Sequence, residues 1–143
     1  MKDVTLPSAK QLIDTFRGLS DGVPGLSAQV AELSRCHREL LRVGNHFCDT
    51  DIRRCELMDD IDRWARQRLG RRTAVPLHTE SLGTVIDRLA ARWAVAVALL
   101  TDEAPADVAD RRQLAFERLS ELANAYDDLV ADLVGGRRRL PVS

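Results

Sequence analysis

Aromatic side chains are scarce in this chain, at 4% of its residues. So few rings leave little for stacking on bases, which speaks against a single-stranded nucleic-acid platform. An excess of one charge sign is missing too: the formal net charge is −1 at pH 7, so no global field draws nucleic acid or an anionic membrane. Lysine occurs only at Lys2 and Lys10. The other cations are arginine, a bias of high-GC bacterial genomes whose fixed guanidinium forks also suit carboxylates and phosphates. Cysteine is limited to Cys36, Cys48 and Cys55, an odd number without CxxC spacing, which fits a reducing cytoplasm and no disulfide framework. The longest apolar run, Trp93 to Leu100, is far short of the ~20 residues a bilayer requires. MKDVTLPSAKQ lacks the apolar core of a signal peptide, so a cytoplasmic location is expected. No GxGxxG, Walker loop or nucleophile elbow occurs, and no repeat.

What is present is helical periodicity. The 143 residues, 45% hydrophobic and 30% charged, suffice for one soluble domain with a single core. Leu12, Ile13, Phe16 and Leu19 predict a short helix from about Ser8 to Ser20, stopped by the turn-rich DGVPG. Ser27 then offers an N-cap for a long periodic stretch reaching the Gly70-Arg71-Arg72 stop. A phase change near Gly44-Asn45 leaves a kink, a break or drift open there. A third long helix spans about Ser81 to Leu100; beyond Arg92 it is apolar all round, the mark of a buried central element. TDEAPAD reads as a loop with Pro105 suited to starting the last helix, which Gly135-Gly136 ends. No stretch shows strand alternation. The expectation is all-α: a single-domain bundle of about four helices over residues 1–136, followed by a basic, frayed tail over 137–143.

The chemistry concentrates where polar residues interrupt the buried helix. In PLHTESLGTVIDRLA, Ser81 or Thr79 can cap, and Glu80 suits the electropositive first turn. His78 precedes the helix. Asp87 falls on a side made of Gly83, Thr84, Ala91, Ala94 and Ala98, where a neighbouring helix can come close. A carboxylate there costs several kcal/mol, roughly, unless paired. Arg88 and Arg92 leave from a different side. In the preceding helix Asp51, Cys55, Asp59, Asp62 and Arg66 form a polar stripe at steps of three or four. If that stripe faces Asp87 and His78, carboxylates, an imidazole and guanidiniums share a pocket fit for acid–base or Mg²⁺-assisted chemistry. Solvated ion pairs and caps are the plainer account of the same residues. His37, Cys48 and Cys55 share a face, but their spacing is not that of structural zinc, and buried thiols commonly serve as small hydrophobes. No metal site is assigned.

These blocks carry a family resemblance. LHTESLGTVIDRLA resembles the most distinctive block of the DUF4254 family, leucine-histidine-(Ser/Thr)-Glu-Thr-Pro-Gly followed by Asp-Arg-Leu. RRCELMDDID is similar to that family's arginine-rich segment ending in acid-x-Ile-Asp, and LVADLVGGRRRL to its C-terminal turn. The similarity spans about Cys36 to Leu140, with Ser81-Leu82 in place of the Thr-Pro pair, and Asp51 and Cys55 where asparagines are usual. It implies an all-α fold, and a site drawn from His78, Glu80, Gly83, Asp87, Arg88, Arg54, Asp59 and Asp62. It brings no settled reaction.

The resulting expectation is a small-molecule pocket between the helix from Ser81 and the helix holding Asp59 and Asp62. His78 is the general acid or base, oriented by Glu80 or Asp87. Arg88 and Arg54 hold an anionic ligand, with Asp59, Asp62 and His37 also placed among the ligand-binding residues. The setting is an acid–base enzyme or accessory in a biosynthetic pathway, with no required cofactor. One rival is a non-catalytic protein that dimerises or supports a partner enzyme through an exposed stripe along Leu57 to Leu69. Another is a Mg²⁺-dependent phosphohydrolase using Glu56, Asp59, Asp62 and Asp87.

Overall fold

The computed structural model describes residues 4–19, 25–43, 48–100 and 108–141. The phase change at Gly44-Asn45, the loop Thr101 to Asp107 with Pro105, and the side chain of Cys48 lie outside the described residues. Within them the chain is all-helical, with five helices and no strand: α1 (Ala9–Phe16), α2 (Ser27–Val43), α3 (Cys48–Leu69), α4 (Leu82–Ala98) and α5 (Ala109–Val134).

The caps explain the boundaries. Ser8 and Gln11 form a reciprocal capping box at the start of α1, each side chain accepting from the other's backbone N–H, which satisfies two otherwise orphan donors. Ser81 caps α4 by accepting from the Thr84 N–H. α3 opens with Asp49 and Asp51 and closes with Arg66 and Arg68, charges of the right sign for the helix dipole at both ends. α5 ends on Gly135 and on Gly136, whose φ is +73°. The Arg137 N–H reaches the Asp132 carbonyl and the Gly136 N–H that of Leu133, the paired bonds of a Schellman turn.

Five helices stand where about four were expected, because the stretch from Ser27 to Leu69 is two elements. Val30 and Leu33 of α2 and Leu57, Ile61 and Ala65 of α3 are all buried. At 3.6 residues per turn an unbroken helix would carry Leu57 to the side opposite Val30. Two helices packed against each other let both stripes reach one core. The stripe from Leu57 is therefore internal, not the exposed dimerisation face the interaction rival required.

α4 is central: it packs against α1, α2, α3 and α5. Leu82, Ile86, Leu89, Ala90 and Ala96 are fully enclosed. Its two ends reverse the expectation from hydropathy. The polar-looking first half is the better buried, while Val95 near the apolar end is 41% exposed and Leu100 54%. The described part of the basic tail, 137–141, also departs from expectation, for it is docked and not frayed. Arg139 pairs with the linker ahead of α4 in an isolated parallel bridge to Leu77, and Leu140 packs against the core.

Candidate functional site

Asp87 lies four residues after Gly83, on the small-residue side of α4. At Gly83 the approach of α3 is so close that an added Cβ would stand 2.5 Å from the Met58 carbonyl oxygen and 2.7 Å from Asp62 Oδ1. The Gly83 N–H donates to that Asp62 oxygen at 2.6 Å, so Asp62 holds the positive end of the α4 dipole. One turn further on, Asp87 is buried, at 9% exposure. Its Oδ1 lies 2.7 Å from His37 Nε2 of α2, and its Oδ2 accepts from an Arg54 guanidinium N–H of α3 at 3.4 Å. Arg54 also reaches Asp51 at 3.5 Å. A buried carboxylate needs partners of this kind, and Asp87 has two, from two different helices. The cluster ties α2, α3 and α4 together.

A second polar grouping forms on the other side of α4. The segment before the helix is held by the C-terminal strap: the His78 N–H donates to the Arg139 carbonyl at 2.8 Å, and the Arg139 N–H to that of Pro76 at 3.0 Å. His78, Glu80 and Arg88, with Asp128 and Asp132 of α5 and Arg138 of the strap, line a hollow of about 320 Å³. Glu80 accepts from Arg88 at 2.6 Å, and Arg138 stands 3.6 Å from Asp132. Tyr126 is also in the wall, and its hydroxyl donates to the Pro7 carbonyl at 2.8 Å. Burial pushes the His78 imidazole below its ordinary pKa, Arg138 and Arg88 add to the effect, and Glu80 opposes it. Its Nε2 is out of solvent and has no hydrogen-bond partner. The lowered pKa favours the neutral ring, and the unpartnered Nε2 leaves it the form a general base requires.

The expected pocket thus divides. His78, Glu80 and Arg88 meet in the hollow toward α5, whereas Asp87, His37 and Arg54 meet between α2, α3 and α4. The cause is helical geometry, since consecutive residues on α4 leave the axis about 100° apart, so Asp87 and Arg88 serve different neighbours. Asp62 is engaged at the start of α4. Asp59 is exposed on α3 and makes no ion pair among the described residues. Arg138, Asp128 and Asp132 went unanticipated. The signal for Arg138 was Leu140-Pro141 behind the arginines, an apolar pair that gives a basic tail something to bury.

No group of three or more His, Cys, Asp or Glu side chains is placed to hold a metal ion among the described residues. The carboxylates of the phosphohydrolase reading do not converge: Glu56 pairs with Arg53 at 3.0 Å, Asp62 with Gly83, and Asp87 with His37 and Arg54. Cys36 is a buried free thiol and Cys55 an exposed one. No helix among the described residues is long and apolar enough to cross a membrane.

No curated protein and no solved structure matches the chain. Residues 38–142 match the family described as "Protein of unknown function (DUF4254)". That span takes in α3, α4, α5 and the docked strap, hence every residue of the hollow and all of the Asp87 cluster except His37. The chain belongs to the DUF4254 family.

Proposed function

We propose that the protein binds a small anionic molecule that also carries hydrogen-bond donors, in the hollow at the start of α4, and that His78 transfers a proton to or from it. The observation that carries this reading is the hollow's wall, where His78, whose Nε2 has no hydrogen-bond partner, stands with Arg88 and Arg138. A buried polar atom without a partner costs roughly 1–3 kcal/mol, and a ligand donor or acceptor would recover that. The two guanidiniums supply the anion's contacts, while Asp128 and Glu80 are acceptors for a ligand hydroxyl or ammonium. The Asp87 cluster is then the brace that fixes α4, not the reacting group.

The test is calorimetric titration with malate as a hydroxycarboxylate probe. Binding to the wild type is expected, weakened about tenfold in Arg88→Gln, as loss of a hydrogen bond to a charged group predicts. In His78→Gln the pH dependence of binding near the imidazole range should vanish while the fold, read by circular dichroism, persists. Binding unaltered by both changes would sink the assignment.

A second reading, a protein that supports a partner, draws on the exposed apolar residues of α4 and α5, Val95 at 41% and Leu114 at 45%. Light scattering showing a dimer that Leu114→Glu dissolves would favour it over a monomeric binder.

A further inference from the structure

A second cavity, of about 240 Å³, lies between the end of α3, the linker after it and the docked strap. Five arginines line it (Arg66, Arg71, Arg72, Arg138 and Arg139), and no acidic residue does. The remaining wall is largely apolar, with Leu69, Leu133 and Leu140. Arg72 donates to the carbonyls of Leu133 and Arg138, and Arg139 Nε to that of Val75. Those bonds satisfy donors and fix the forks without cancelling charge. Arg138 shares Asp132 with Arg137. Arg71 is exposed and makes no ion pair among the described residues. Like charges gathered over a low-dielectric wall repel one another, and a bound anion relieves that repulsion.

We propose that this cavity binds a short-chain alkyl phosphomonoester, its phosphate held by Arg71 and its arginine neighbours and its chain laid on the leucines. Several guanidiniums around one cavity suit a phosphate's three acceptor oxygens better than a carboxylate's two. The volume is below the roughly 300–1,000 Å³ of drug-sized pockets, which restricts the chain to a short one. This site is separate from the His78 hollow, sharing only Arg138 with it, and it stands or falls independently of the reading above.

The experiment is calorimetric titration of the full chain with hexyl phosphate, inorganic phosphate and hexanol, with phosphatidic acid vesicles in a parallel sedimentation assay. Hexyl phosphate should bind at least tenfold more tightly than inorganic phosphate, with hexanol undetectable and affinity falling as salt is raised. Arg71→Glu, at an exposed position where packing is not at stake, should weaken binding about tenfold or more, and Arg71→Gln by less. His78→Gln should leave it unchanged, so failure at one site is distinguishable from failure at the other. Equal binding of hexanol, an affinity indifferent to Arg71→Glu, or sedimentation with vesicles without binding of hexyl phosphate would each overturn the proposal.

Discussion

At the scale of single residues, the environments of His37 and His78 separate structure from chemistry. His37 is engaged with Asp87, whereas His78 has a ring nitrogen with nothing attached. Asp87→Ala should therefore cost stability, roughly 2–4 kcal/mol by urea denaturation, since it leaves Arg54 and His37 around an emptied position. A loss under about 1 kcal/mol would show that the cluster braces nothing. His78 gives a dependence of known sign. Its folded-state pKa is below the ordinary 6.5, so the unfolded chain binds the proton more readily. Its contribution to stability is full above about pH 6.5 and declines as the pH falls from there toward the folded-state value. The difference between wild type and His78→Gln should show that slope in denaturation at a series of pH values; parallel curves would contradict it. Asp87 was legible in sequence as an acid needing a partner, because its small-residue neighbours gave away the close packing. Which partner it takes was not, since that depends on how α2 and α3 are placed around α4.

At the scale of elements, the cap at Ser81 and the stop at Gly135-Gly136 were readable, and both sit at helix ends as local chemistry requires. The split between α2 and α3 was legible only as a change of phase, since periodicity reports a face and not where the chain turns back. Burial along α4 departs from its local hydropathy for a related reason. Hydropathy ranks its second half as the core, yet neighbours cover the first half more completely, and Val95 stays exposed. The contact that sets the α3–α4 distance is at Gly83. Gly83→Ala should destabilise by roughly 1–3 kcal/mol despite alanine's better helix propensity, because the new methyl meets the Met58 backbone and not a yielding side chain. A neutral or stabilising result in chemical denaturation would mean that the helices can part at no cost.

At the scale of the molecule, the strap after α5 decides what the bundle can do. Pairing Arg139 with the linker at Leu77 brings Arg138 beside His78 on one side and builds the arginine-lined cavity on the other. A sequence reading treats such a basic end as solvated, because its docking depends on contacts with residues some sixty positions away, such as Arg139 with Val75. Family membership covers this whole arrangement without naming a reaction, so the hollow has to be tested directly. The most direct measurement is nuclear magnetic resonance of the imidazole nitrogens of His37 and His78 during titration with malate. The account predicts that the His78 resonances shift with saturation while those of His37 stay in place. Shifts confined to His37, or none at His78 with malate bound, would contradict it.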